Sequence, residues 1–362
     1  MVRINSCQII LCIIALFLAA GELFAEQQIT KAIYDLPLEH PVLKNKSPGQ
    51  TAEYLRDSGI NAVVRVPLDN SIIDQLHKNG IKAYAELVVF LGKDYWQERP
   101  ESRPILSNGK PAGLDGWYAG LCPTQKWLIN QKVKEAEEIA KKYQIDGLWL
   151  DFIRWPTRWD RKEPKIQLTC FCESCLERFQ KETGIKIPGE LKSTGEISEW
   201  IYKNHSKDWY EFRCNVIVDA IRKVKGAIKK YRKDAIIGIF TVPWKEEDFD
   251  NAIYKVIGQD IEKLSGIVDV FSPMTYHLIC GRNTAWITSV VQWTKSKTDT
   301  EVWPIVQSIN EPVELSAEEY ERALRSGLRG GSTGVITFAT GATLENGKWE
   351  VQKKVFTQIN KN

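Results

Sequence analysis

Eight short runs of β-branched and apolar residues recur along the chain: Ile29–Pro37, Ile60–Pro67, Ile81–Phe90, Asp146–Pro156, Ala235–Pro243, Val268–His277, Glu301–Ile309 and Gly334–Thr340. Such runs have the character of strands buried on both faces of a parallel sheet. Between most of them the apolar positions change to helical spacing. Gln50–Ser58 and Ser71–Asn79 read as short helices stopping near Gly59 and Gly80, as glycine at a helix C-terminus does. Gln125–Tyr143 repeats Trp127, Leu128, Val133, Ala136, Ile139 and Ala140 on one face, and His205–Tyr231 is a longer helix of the same kind. Ser316 followed by Glu319 predicts a capping box at the last inter-strand helix. Strict alternation of strand and helix implies a parallel sheet with right-handed crossovers. Eight such units predict an α/β fold, a (β/α)8 TIM barrel. An open doubly wound sheet is the competing architecture, but the first strand–helix turn has no glycine-rich phosphate loop.

Two connections are long: Leu91–Gln125 after strand three and Thr157–Asn204 after strand four. In a barrel both lie on the C-terminal face, where active sites form. Loops this long in a compact domain are usually functional. The first 25 residues differ from the rest: Arg3 is followed by the apolar run Ile9–Ala20 and then Leu23-Phe24-Ala25. This predicts a signal peptide over residues 1–25, an exported protein, and one barrel domain over 26–362. A retained N-terminal anchor is the alternative, although the run is short for a membrane span. The net charge of +3 on 362 residues, with no basic block, gives no reason to expect nucleic acid or an anionic membrane as partner.

The most informative stretch is Asp146-Gly147-Leu148-Trp149-Leu150-Asp151-Phe152-Ile153-Arg154-Trp155-Pro156. Strand alternation puts Trp149, Asp151 and Ile153 on one face, with Asp151 near the carboxyl end, where a barrel places catalytic groups. A carboxylate within an apolar strand is costly unless paired or used. Arg154 is near enough in sequence to be its partner, so an Asp–Arg brace at the barrel rim is the structural alternative. The segment resembles the DG-x-x-LD-x-IR-[YFW]-P strand of the large bacterial group of family 10-like glycosyl hydrolases. It is also distantly similar to the catalytic strand of family 18 chitinases, D-G-x-D-x-D-x-E. Against that second pattern Trp149 replaces the middle Asp and Ile153 replaces the proton-donating Glu, which excludes the chitinase mechanism as such. Asp269-Val270-Phe271-Ser272-Pro273-Met274-Thr275-Tyr276-His277, preceded by Gly258-Gln259-Asp260, resembles the strand-six pattern D-x-x-x-P-M-x-Y of the first group. The resemblance implies that Met274 and Tyr276 point into the barrel mouth and that the protein hydrolyses glycosidic bonds.

Cys170, Cys172 and Cys175 have the C-x-C-x-x-C spacing of thiolate metal ligands, and Cys122 is the natural fourth. The arrangement resembles family 42 β-galactosidases, and implies a structural zinc with no open coordination position. In an exported protein disulfides compete with zinc for these thiols, and packing without metal is the third possibility. Cys214 and Cys280 read as buried small hydrophobes, while Cys7 and Cys12 would leave with the signal.

Glycoside hydrolysis usually needs two carboxyl groups flanking the scissile bond. Asp151 is the first candidate. Glu86, late in strand three, is backed as the second, with Glu311 after strand seven in reserve. Arg65, Arg154, Trp149, Trp155, Trp244, Tyr276, His277 and Gln307 fall at or near strand ends and are the candidates for binding sugar hydroxyls and ring faces. Trp159, Trp96 and Trp117 belong to the same aromatic set, for which core packing is the competing role. With four His and no H-x-H or H-E-x-x-H pair a metallohydrolase is disfavoured, and no dinucleotide fingerprint or other organic cofactor motif is present. A carbohydrate-binding barrel without turnover is the rival: it predicts the absence of a Glu at position 153 and the Gln at 307.

Overall fold

The computed structural model describes residues 29–359; the expected signal peptide lies outside them. Every strand of the sheet is parallel to its neighbours. In chain order they are β1 Thr30–Tyr34, β2 Ala62–Val64, β3 Lys82–Val88, β4 Gly147–Asp151, β5 Ile236–Thr241, β6 Val270–Thr275, β7 Glu301–Val302, β8 Ile305–Gln307 and β9 Gly334–Phe338. β7 and β8 are one barrel strand interrupted at Trp303-Pro304, since proline cannot donate to a ladder. β1 pairs with β2 and β9, and β5 pairs with β4 and β6, so the sheet closes into an eight-strand barrel. No helix among the described residues is long and apolar enough to cross a membrane.

The helices run over Pro48–Asp57, Asn70–Lys78, Lys126–Lys142 and Ser206–Lys229, close to the expected bounds. The long connections are not bare loops. The first contains a helix over Lys93–Glu98, and the second contains helices over Glu173–Thr183 and Thr194–Asn204. The expected capping box at Ser316 is only half made. Ser316 accepts from the Glu319 amide, but the Glu319 carboxylate turns to His277 and Arg322. Complete boxes form instead at Ser47/Gln50 and Ser193/Glu196.

The barrel interior is filled by aromatic rings. Trp149 packs on Tyr84 at 4.6 Å and stacks on Trp303 at 5.3 Å, and its indole N–H donates to Ser272 Oγ at 3.0 Å. Gly238 makes room for it, because a Cβ there would lie 2.2 Å from the Trp149 ring. Trp149→Ala should cost about 3–5 kcal/mol by leaving a cavity in this layer. Equilibrium denaturation tests this, and a cost below about 1 kcal/mol would mean that the layer is not tightly packed.

Candidate active site

Above the aromatic layer four strands end in polar groups. Register places Glu86 beside Trp149 and Val88 beside Asp151, so both carboxyls share the inward face with the core indole. Just past the ends of β1, β2 and β4 the backbone turns through the left-handed region at non-glycine residues: Asp35 (φ 65°), Arg65 (φ 60°) and Phe152 (φ 51°). Such conformations are uncommon outside glycine and concentrate at functional sites. The turn at Phe152 also ends β4 at Asp151, so the strand is shorter than the expected Asp146–Pro156. Ile153 no longer continues the inward face; it is sealed in the core, as is Trp155.

Glu86 Oε1 accepts from Tyr34 Oη at 2.7 Å, and Oε2 lies 3.4 Å from Arg65 Nε. The Arg65 guanidinium also reaches the Tyr34 hydroxyl and covers its ring. Burial, and then the charge of Asp151, push Glu86 up to about 7 against the pull of Tyr34 and Arg65. Burial likewise pushes Asp151 up to about 6, opposed by Arg154, the Phe152 amide (2.6 Å from Oδ1) and Arg65. The two acids act on each other and titrate as a pair. A third carboxyl, Asp35, was not foreseen. Burial raises its pKa, its Oδ1 is buried without a hydrogen-bond partner, and its charge raises Glu86. Its placement directly after Tyr34 at the end of the first strand was the available sequence signal. Tyr34, the last residue of β1, was missed as well.

These shifts carry a stability prediction. Near pH 4 Glu86 is largely protonated in both the folded and the unfolded chain. As pH rises from about 4.5 to about 7 the unfolded chain ionises first, so the fold loses stability across that window. Glu86→Gln removes this loss. The variant should gain on the order of 1–3 kcal/mol over the parent between pH 4 and pH 8. A difference that stays flat across that range in chemical denaturation would contradict the burial of an acid here.

The remaining candidates divide. Arg65 and Tyr276 stay with the carboxyls; Tyr276 stacks on Phe338 at 4.8 Å and on Trp159 at 5.8 Å, and Phe338 touches Tyr34. Trp149 and Trp155 are fully buried core residues and offer no face to a sugar. Trp244 is buried against Phe249. His277 is also fully buried and faces Glu319 at 3.3 Å. Gln307 is spent on the backbone: its carbonyl takes the amides of Leu278 and Ile279, and its amide donates to the carbonyls of Ile309 and Glu311. Glu311 is exposed in the loop beyond β8 and joins neither acid. The alternative role, an Asp151–Arg154 brace, is not made as a direct contact, although the Arg154 charge acts on Asp151. The Arg154 guanidinium lies over the Phe152 ring at 4.6 Å, and its Nε and Nη1 have no hydrogen-bond partner.

Cys122, Cys170, Cys172 and Cys175 bring their sulfurs within 4.8 Å of one another. The separations of Cys122 from Cys175 and Cys172, and of Cys172 from Cys175, are 3.4, 3.7 and 3.5 Å. Four sulfurs at 2.3 Å from a central zinc would be about 3.8 Å apart, whereas a disulfide needs about 2.05 Å. The cluster therefore fits a metal ion better than two disulfides. Cys214 and Cys280 are buried elsewhere as single thiols.

No curated protein sequence matches the chain. Solved structures share its fold. The glycoside hydrolase domain of PgaB (BpsB) from Bordetella bronchiseptica superposes with a TM-score of 0.67 at 15% identity, over 91% of this chain and 99% of that one. A cold-adapted β-galactosidase from Rahnella sp. R3 gives 0.68 at 11% identity, over 93% of this chain but only 57% of that one. The catalytic domain of a β-amylase from Paenibacillus polymyxa gives 0.61 at 11% identity, over 92% and 99%. A family model described as "Putative glycosyl hydrolase domain" matches residues 50–311, which take in Glu86, Asp151 and all four clustered cysteines, and the chain belongs to that glycosyl hydrolase family.

Proposed function

We propose that the protein is an exported glycoside hydrolase that cleaves a poly- or oligosaccharide with Glu86 and Asp151 as its carboxyl pair. One observation carries this: two adjacent acids face the barrel mouth with pKa values raised to about 7 and about 6. Between those values the pair holds roughly one proton, as glycoside cleavage requires of an acid and a carboxylate working together. Glu86, the last to ionise, protonates the departing glycosidic oxygen. Asp151, held by the Phe152 amide, acts as the carboxylate on the other side of the sugar. Arg65 and Tyr34 fix the Glu86 carboxyl. The four cysteines hold a zinc ion; four thiolates leave it no open position, so its contribution is to tie the two long connections together. Residues 1–25 serve as the signal for export.

The test is purified protein with a panel of polysaccharides, read by new reducing ends. The dependence of kcat/KM on pH should be bell-shaped, with limbs near 6 and 7. NMR of the first-formed anomer then assigns retention or inversion. Glycan binding with no reducing ends formed at any pH would identify a carbohydrate-binding barrel instead of an enzyme.

A further inference from the structure

We infer that Arg213 is the counter-charge of the four-cysteine metal site: its buried guanidinium offsets the negative charge that the cluster acquires when zinc binds. The inference rests on the zinc reading above and goes beyond it by naming a residue, not itself a ligand, on which the site depends. Thiols that take up Zn²⁺ release their protons, so four thiolates around one dication leave two negative charges in excess. Cys122, Cys170 and Cys175 are buried and Cys172 is partly so. An excess charge in such a place is costly unless an opposite charge stands near.

Arg213 is 1% exposed, and its Nε and Nη1 are buried without a hydrogen-bond partner. Nη2 donates to the Val256 carbonyl, and the guanidinium lies over the Trp155 ring at 4.2 Å. Neither partner carries a charge. Among the described residues no carboxylate is in ion-pair contact with Arg213. Closed off from solvent, this cation has to find its compensation inside the chain. Burial pulls its pKa down, and the groups that oppose this are Tyr202, Cys175, Cys214 and Cys170, two of which belong to the cluster. Rings pack the helix Ser206–Lys229, which carries Arg213, against the cysteine segment. Phe171, next to Cys170, stacks at 5.2 Å on Trp209, one turn before Arg213. Phe179, one turn after Cys175, meets Trp209 at 5.0 Å and Phe212 at 5.6 Å. This aromatic filling excludes water, so cation and cluster act on each other with little screening. Another cation nearby is already paired: Arg178, on the helix Glu173–Thr183, holds Glu182 and Asp219 at 2.6 Å each. Without metal the thiols are neutral and Arg213 is a lone buried charge. With metal, each charge offsets the other.

The experiment measures zinc affinity, by competition with a chromophoric chelator, and resistance to denaturant, for the reduced parent and for Arg213→Met, each zinc-loaded and chelated. Arg213→Met keeps most of the side-chain volume and removes the charge. It should bind zinc at least about tenfold more weakly. It should weaken the zinc-loaded protein yet leave the chelated protein unchanged or more stable, because a lone buried charge has gone. A role confined to packing on Trp155 and bonding Val256 would cost the same in both states, and that result would overturn the inference. If Arg213→Met does not fold, Arg213→Lys decides. It keeps the charge but gives up the flat contact with Trp155, and should hold zinc as the parent does; a loss of about tenfold there would overturn the inference. A parent that takes up no zinc would sink the metal reading and this inference together. A parent that takes up zinc no more tightly than Arg213→Met would sink the inference alone.

Discussion

Asp151→Asn should lower kcat on the cleaved glycan by a factor on the order of 10²–10⁴ while the protein keeps its fold. The substitution is nearly isosteric. The asparagine carbonyl can still accept the Phe152 amide that now meets Asp151 Oδ1 at 2.6 Å, so the turn out of β4 is preserved. What is lost is the charge. That loss has a second, independent readout at Glu86, whose pKa of about 7 is set by burial first and by the Asp151 charge second. In the variant Glu86 should titrate below 7 but above an ordinary carboxyl, because burial remains. Carboxyl-labelled NMR would follow it directly. Full activity in Asp151→Asn would remove this residue from the chemistry. An unfolded variant would assign it to bracing the barrel rim. An unmoved Glu86 titration would show that the two acids are not neighbours in solution.

The barrel was readable because each strand had to be apolar on both faces, which leaves a continuous signal in the residue order. Asp151 was readable for the complementary reason, as a charge in a place where charge is expensive. The aromatic candidates failed on a single ambiguity. Trp149 and Trp155 fall near a strand end whether they line a cleft or fill the barrel. Only the partners decide: Ser272 and Gly238 for Trp149, the Arg213 carbonyl for Trp155. Gln307 and His277 failed because their bonding partners, the amides of Leu278 and Ile279 and the carboxylate of Glu319, come together only on folding. The turn at Phe152 was invisible because phenylalanine carries no preference for left-handed backbone. That turn separates Asp151 from Ile153 and so broke the alternation on which three residues had been placed on one face. Asp35 was hidden by its position, since an aspartate just past a strand is ordinarily a solvated turn residue.

Removing the metal should damage the walls of the site before it damages the barrel. Cys122 belongs to the connection after β3, and Cys170, Cys172 and Cys175 to the connection after β4. An ion bound by all four sulfurs is therefore a cross-link between two segments that otherwise meet through short bridges such as Leu106 with Thr169. Those segments also carry Tyr118 and Arg158, which line a cleft. Cys175→Ser, or a strong chelator in excess, should cost on the order of 4 kcal/mol, about 6 °C in Tm for a chain of this size. Hydrogen exchange localises the loss. Residues 91–125 and 157–204 should exchange faster while the strand amides of β3 to β6 stay protected, because the barrel is held by its own ring contacts among Trp149, Tyr84 and Trp303. Elemental analysis should find about one zinc per chain, and the intact mass should correspond to free thiols. A mass lighter by about four hydrogens, with no metal and no response to chelator, would mean two disulfides. In that case reducing agent, not chelator, would be what loosens the two connections, and the cross-link argument would survive with a different bond.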